Sequence, residues 1–76
     1  MNSDYAMLVR MANQIADFFR SQPEEDALKG TANHIRYFWD PRMRKKMAEH
    51  LATGGEGLSP LARAAVEQVC TPAKTA

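Results

Sequence analysis

Prolines divide this 76-residue chain into short segments, and each segment has the residue spacing of an amphipathic helix. Pro23, Pro41 and Pro60 suit the first turn of a helix, because proline lacks a backbone N–H that this position does not need. Asp40 and Ser59 precede two of these prolines and are good N-cap residues. No segment alternates with the period of two that is typical of strands. The sequence therefore predicts an all-α fold, a compact bundle of about four short helices.

Apolar residues recur at steps of three or four within each segment, so they share one side of a helix. On the first segment, from about Ser3 to Arg20, they cover roughly half of the circumference, which predicts contacts with more than one neighbour. The helical domain is expected to span residues 1–70, and residues 71–76 to form a disordered tail. The predicted core residues are Tyr5, Leu8, Ala12, Ile15, Phe19, Leu28, Ala32, Ile35, Trp39, Met43, Met47, Leu51, Leu61, Ala65 and Val69, with Phe38 beside Trp39.

The small size of the chain limits its stability. A domain of this length buries only about 60% of the surface that its unfolded chain exposes. Its own core therefore supplies a net stability of only about 3–5 kcal/mol. Cys70 is the only cysteine, which excludes an internal disulfide and fits a reducing compartment. His34, His50 and Cys70 have no recognised metal-ligand spacing. A partner protein is therefore expected to stabilise the fold, and the isolated chain to self-associate if that surface is left exposed.

Charge and hydropathy bear on location and partners. The polar start of the chain has no signal-peptide pattern. No apolar run is as long as a membrane span, which needs about 18 residues, so a cytoplasmic protein is expected. The net charge of +1 argues against a nucleic-acid partner. Arg42, Arg44, Lys45 and Lys46 nevertheless form a basic cluster. It is interpreted as a solvated or protein-facing surface, with phosphate binding as the alternative.

Residues with reactive side chains form no catalytic pattern, so no catalytic residue is predicted. His34 is interpreted as a solvated surface residue and His50 as a packing residue at a helix boundary, because a general base needs an orienting group. Cys70 falls at a helix C-terminus, which does not activate a thiol. The glycine-rich residues 54–57 lack the preceding strand and following lysine of a phosphate loop, and are interpreted as a flexible connector.

Tyr37 is a candidate anchor for a partner. It lies opposite the predicted apolar face of its helix, and Gly30 lies on the same side, where the missing side chain would allow another backbone to approach. The alternative is an exposed aromatic residue without a role. The methionines within predicted helices, Met7, Met11, Met43 and Met47, fit either a core or an adaptable contact surface.

Two segments resemble a known family. Residues 8–19 have the sequence LVRMANQIADFF, and residues 34–44 have the sequence HIRYFWDPRMR. Together with residues 57–61, GLSPL, they resemble the delta subunit of soluble NAD-dependent formate dehydrogenases, over about residues 5–70. The resemblance implies a cytoplasmic complex. Its alpha subunit holds a molybdenum or tungsten bis-guanine-dinucleotide cofactor and iron–sulfur clusters, while beta and gamma subunits carry FMN and further clusters and pass electrons to NAD.

The resemblance also implies a role for this chain. A delta subunit has no redox centre, binds the cofactor-bearing alpha subunit and aids its assembly or stability, so a non-catalytic accessory subunit without a cofactor of its own is expected. The residues agree with this expectation, since one cysteine cannot hold a four-cysteine iron–sulfur cluster and no dinucleotide-binding fingerprint is present. The alternatives are a small nucleic-acid binder that uses the basic cluster, or a molybdenum-cofactor-handling chaperone that uses Arg42, Arg44 or the glycine connector.

The segment FWDPRMR has a physical interpretation within this hypothesis. Phe38 and Trp39 are expected to anchor the second helix in the core. Asp40 and Pro41 are expected to fix a sharp change of chain direction. Arginine suits bidentate pairing with carboxylates, and the predicted docking residues are Tyr37, Arg42, Arg44 and Lys45. A purely structural role for the segment is the alternative.

Overall fold

The computed structural model describes the backbone of residues 3–70 and the side chains of residues 5–70. Within this range the chain forms α1 (Ser3–Phe19), α2 (Glu24–Phe38), α3 (Pro41–Ala52) and α4 (Pro60–Cys70), and no strand. The helix α1 contacts the other three helices, as its broad apolar face predicts, and α2 packs on α4. The predicted all-α bundle is confirmed. The predicted tail, residues 71–76, lies outside the described residues.

The two predicted N-caps are present. Asp40 accepts a hydrogen bond from the backbone N–H of Met43 at 2.9 Å, and Pro41 occupies the first turn of α3. The hydroxyl of Ser59 accepts one from the backbone N–H of Ala62 at 3.3 Å, at the start of α4. Each cap satisfies an N–H group that the helix itself leaves without a partner. The Asp40 cap fixes the corner at which α2 ends and α3 begins.

The connector between α3 and α4 is fastened to the bundle. Gly54 and Gly55 have positive φ angles of 119° and 62°, and Gly55 donates to the carbonyl of His50 at 2.9 Å in a glycine-terminated helix end. Arg63 of α4 donates to the carbonyls of both glycines, at 2.8 and 3.2 Å. Asn13 of α1 donates to the carbonyl of Gly57 at 3.0 Å. Side chains of α1 and α4 thus hold carbonyl groups of the connector, which argues against the flexibility predicted from its glycines.

The core lies where all four helices meet. Ile35 and Met47 are fully buried, while predicted core residues such as Leu28 are only half-buried. Thr31 was not predicted as a core residue but is also fully buried, because its hydroxyl donates to the carbonyl of Ala27 at 2.8 Å and so keeps a partner. The principal core cluster consists of Leu8, Ala12, Ala16, Ile35, Trp39, Met47, Ala62, Val66 and Cys70.

Phe38 and Trp39 have opposite environments. Trp39 is 3% exposed and belongs to the core, as predicted, whereas Phe38 is 72% exposed. The helix α2 ends at Phe38, and Trp39 adopts an extended backbone with φ −88° and ψ 136°, so the two side chains diverge. The prediction that Phe38 anchors α2 in the core is therefore wrong. Only Trp39 does so.

The space beside Gly30 is filled by a side chain of the same protein. A Cβ atom added at Gly30 would lie 2.6 Å from two carbon atoms of the Phe19 ring, so α1 already fills the space that the glycine leaves. The prediction that a partner backbone uses this space is wrong. The glycine instead allows α1 and α2 to approach closely.

Replacing Gly30 with alanine is expected to lower the free energy of unfolding by about 1 kcal/mol. The higher helix propensity of alanine contributes about 1 kcal/mol, but forcing the Phe19 ring aside costs about 1–3 kcal/mol. Urea denaturation followed by circular dichroism measures the difference. In a Phe19→Ala background the same substitution should instead stabilise the chain. Stabilisation in the wild-type background would contradict the close contact.

Candidate functional site

Large apolar side chains are exposed along one surface of the bundle. Met7 is 58% exposed, Phe18 76% and Phe38 72%. Two adjoining cavities, of about 500 and 390 Å³, lie beside these side chains and share Met11 and Met43 in their walls. We call the two together the apolar groove. Its walls are formed by Met7, Leu8, Met11, Gln14, Ile15, Phe18, Phe19, His34, Phe38, Trp39, Asp40, Arg42, Met43 and Lys46.

Helical spacing explains how the groove is built. One wall is a stripe on α1 in which side chains follow at steps of four, four and three residues: Met7, Met11, Ile15 and Phe18. His34 and Phe38, one turn apart at the end of α2, form the facing wall together with Met43 of α3. The corner at Asp40 therefore places the end of α2 beside the start of α3, and the FWDPRMR segment lies along this second wall.

The exposed aromatic rings are held in defined positions. The ring of Phe18 meets that of Phe19 edge to face, with centroids 5.0 Å apart and planes at 89°. The rings of His34 and Phe38 have centroids 4.6 Å apart and planes at 31°. His34 is half-buried by this contact, so the prediction of a solvated histidine is wrong. Rings fixed in this way lose little conformational entropy when they are covered.

The groove is positively charged at one end. Arg42 and Lys46 of α3 line the smaller cavity, and the Nζ atom of Lys46 lies 5.5 Å from the ring centroid of Tyr5. Asp40 lines the same cavity, but one of its carboxylate oxygens accepts the capping hydrogen bond of α3. The larger cavity is lined by apolar and aromatic side chains together with Gln14 and His34.

The structure separates the predicted docking residues. Arg42 lines the groove, whereas Tyr37 and Lys45 are exposed but line neither cavity. Arg44 donates through Nη1 to the carbonyls of Trp39 at 2.9 Å and Arg36 at 3.2 Å. These are carbonyls at the end of α2, so Arg44 has a structural role inside the chain. A docking role for these residues stays a prediction.

Replacing Arg44 with alanine is expected to lower the free energy of unfolding by about 1–2 kcal/mol, because carbonyls at the end of α2 lose a charged donor. Arg42→Ala is the matched control on the same helix and should change it by less than about 0.5 kcal/mol, since Arg42 is exposed. Urea titrations of both variants provide the comparison. Equal effects of the two substitutions would contradict the capping role of Arg44.

The residues with reactive side chains are engaged in packing. His50 stacks on Tyr5 with centroids 5.4 Å apart, and its Nε2 atom is 2.9 Å from the carbonyl oxygen of Glu56. Burial raises the pKa of the Cys70 thiol to about 11, against the opposing positive charge of Arg44, so the reactive thiolate is disfavoured. Residues 5–70 contain no group of three or more histidine, cysteine, aspartate or glutamate side chains placed to hold a metal ion.

The connector offers few free amides for a phosphate group. The backbone N–H groups of Gly54, Gly55 and Leu58 donate to backbone carbonyls, and that of Ser59 donates to the side chain of Asn13 at 2.9 Å. A phosphate site needs several converging N–H groups without other partners. The geometry therefore gives no support to the alternative of cofactor handling through this loop.

The sequence did not assign Phe18, Phe38 or His34 to a docking surface, and it left Met7 open between a core and a contact surface. A signal for two of them is present, because Phe18-Phe19 and Phe38-Trp39 are adjacent pairs of large apolar residues. Phe18 and Phe19 lie on one helix, where neighbouring residues point about 100° apart, and Phe38 and Trp39 diverge because the backbone is extended at Trp39. One member of each pair is therefore left for the surface.

The fold and the groove define a small helical protein whose described surface offers an apolar face for contact with another molecule. None of the described helices is both long and apolar enough to cross a bilayer. The family model of the NADH-dependent formate dehydrogenase delta subunit, FdsD, matches residues 7–66. The chain belongs to this family, and the resemblance noted in its sequence is confirmed. No curated protein and no solved structure matches the chain. The matched residues include every residue that lines the groove.

Proposed function

We propose that this chain is a non-catalytic accessory subunit of a cytoplasmic, molybdenum-dependent, NAD-linked formate dehydrogenase. In that complex it docks on the cofactor-bearing alpha subunit and aids its assembly or stability. The observation that carries the proposal is the apolar groove, with three exposed side chains, Met7, Phe18 and Phe38, inside the stretch that matches the delta-subunit family.

The groove supplies binding energy of a suitable size. Fully covering a phenylalanine side chain is worth about 1.5–3 kcal/mol, and Phe18 and Phe38 are both more than 70% exposed in the free chain. Aromatic anchors surrounded by apolar contacts are the residues that dominate the energetics of protein interfaces. Covering this groove would also supply the stability that a core of this size lacks.

Binding stabilises the partner by mass action. A subunit that binds only the folded, cofactor-loaded alpha subunit stabilises that state by RT ln(1 + [L]/Kd), which is about 2.7 kcal/mol when the free subunit is at 100 times its Kd. The chemistry stays with the subunits that carry the molybdenum cofactor, iron–sulfur clusters, FMN and NAD. The present chain contributes contact surface.

The proposal is tested by purifying the formate dehydrogenase complex from host cells with and without this chain. The chain is expected to co-purify with the alpha subunit. Its deletion is expected to shorten the half-life of the formate-oxidising activity when the complex is heated. Adding the purified chain back should restore that half-life. If the chain instead purifies apart from the complex, or oxidises formate alone, the proposal is wrong. The molybdenum content of both preparations separates a role in assembly from one in stability.

A further inference from the structure

The groove has the length of a short helix. Met7 and Phe18 mark its ends on α1 and are 11 residues apart. At a rise of 1.5 Å per residue this is about 16 Å, or about three turns of a helix. An occupant that fills both cavities therefore needs about ten residues of helix, with apolar side chains at steps of three and four.

The walls of the groove favour a helix over an extended segment. The larger cavity is lined by apolar and aromatic side chains, with Gln14 and His34 as its polar members. An extended chain or a loop laid against these walls would bury backbone N–H and C=O groups without partners, whereas a helix satisfies its own. Methionine and aromatic walls are also those that accept amphipathic helices in other proteins.

The charges at the groove specify the polarity of the occupant. Arg42 and Lys46 line one end of the groove. Asp40 lines the same end, and its carboxylate accepts the capping hydrogen bond of α3. An acidic side chain at the corresponding end of the occupant would meet complementary charge. If two copies of this chain covered each other's grooves about a two-fold axis, the cationic end of one groove would face the apolar or the cationic end of the other. Such a dimer would therefore gain no pairing between opposite charges.

We infer that the groove receives an amphipathic helix of another formate dehydrogenase subunit, about three turns long, with an acidic residue at the end that meets Arg42. The inference rests on the proposed function and specifies the partner surface. The apolar side chains of that helix pack between Phe18 and Phe38, and its acidic residue pairs with Arg42.

Photo-cross-linking to the formate dehydrogenase complex purified without this chain tests the inference. The full-length chain carries p-benzoylphenylalanine at position 18 or 38, and cross-linked peptides are identified by mass spectrometry. We expect both positions to label one helical segment of one subunit, at residues three, four or seven apart. Affinity is measured in parallel over a range of NaCl concentrations. Arg42→Glu should weaken binding about tenfold and reduce its salt dependence, whereas Lys45→Glu, outside the groove, should change it less than about threefold.

The outcomes separate this inference from the proposed function. If the chain binds the complex but the labels fall on a loop, a strand or a second copy of this chain, the inference is overturned and the accessory role stands. The same holds if Arg42→Glu leaves the affinity and its salt dependence unchanged. If the wild-type chain does not bind the complex at all, the proposed function itself fails.

Discussion

Replacing Phe38 with alanine is expected to weaken binding of the chain to the formate dehydrogenase complex by about 30-fold, which corresponds to about 2 kcal/mol. The ring is 72% exposed in the free chain and forms one wall of the apolar groove, so its removal deletes an anchor from the interface. The free energy of unfolding should change by less than about 0.5 kcal/mol, because an exposed ring contributes little to the core. Calorimetric titration into the complex lacking this chain, together with urea denaturation, measures both quantities.

Tyr37→Ala is the matched control for this prediction. Tyr37 is 76% exposed and adjacent in sequence, but it lines neither cavity of the groove. Its replacement should weaken binding less than about threefold if the groove is the docking surface. The opposite pattern, with a large effect of Tyr37→Ala and none of Phe38→Ala, would favour the docking surface predicted from the sequence and reject the groove.

Replacing Trp39 with alanine is expected to unfold most of the isolated chain at 25 °C. Removing a buried tryptophan costs about 3–5 kcal/mol, and a domain of this size has about the same total stability. Trp39 is 3% exposed and packs in the cluster where the four helices meet. Far-ultraviolet circular dichroism should therefore show loss of helical signal, and urea titration should show no cooperative transition.

Trp39→Phe provides the control, since it keeps an apolar ring at this position and should retain a cooperative transition at a lower urea midpoint. If Trp39→Ala unfolds with the midpoint of the wild type, the assignment of this side chain to the core is wrong. The neighbouring Phe38→Ala variant completes the comparison. Two adjacent aromatic residues are expected to affect different properties, one the stability of the fold and the other the affinity for the partner.

The helices and their boundaries were predictable because they depend on local interactions. Asp40-Pro41 and Ser59-Pro60 combine a capping side chain with a residue suited to the first helical turn, and both caps are present in the structure. The burial of Met47 follows equally from its place on the apolar side of α3. Each of these features needs only residues within one turn of each other.

The environments of Gly30, Phe38 and Arg44 were not predictable from spacing alone. Gly30 accommodates a ring from α1, and Arg44 donates to carbonyls of α2, so both depend on how separate helices are oriented. Phe38 is exposed because the backbone leaves the helical conformation at Trp39. Helical periodicity describes one helix at a time and does not fix the direction of its neighbour.

The candidate site was predictable only in part. The sequence located the FWDPRMR segment, and Arg42 of that segment lines the groove. On the facing wall of α1, Ile15 and Phe18 were assigned to the core or its flank, while Met7 and Met11 were left open between a core and a contact surface. Apolar residues at helical spacing fit a core as well as an exposed stripe. Only the packing of α1 against the corner between α2 and α3 shows that Met7 and Phe18 border a cavity.

The central claim, that another subunit covers the apolar groove, is tested most directly by hydroxyl-radical footprinting of the free chain and of the chain in its native complex. Oxidation of Met7, Phe18 and Phe38 should fall strongly in the complex, because these exposed side chains become covered. Met47, fully buried, should stay unreactive in both states and so report an intact fold. Equal oxidation of Met7, Phe18 and Phe38 in both states would contradict the claim.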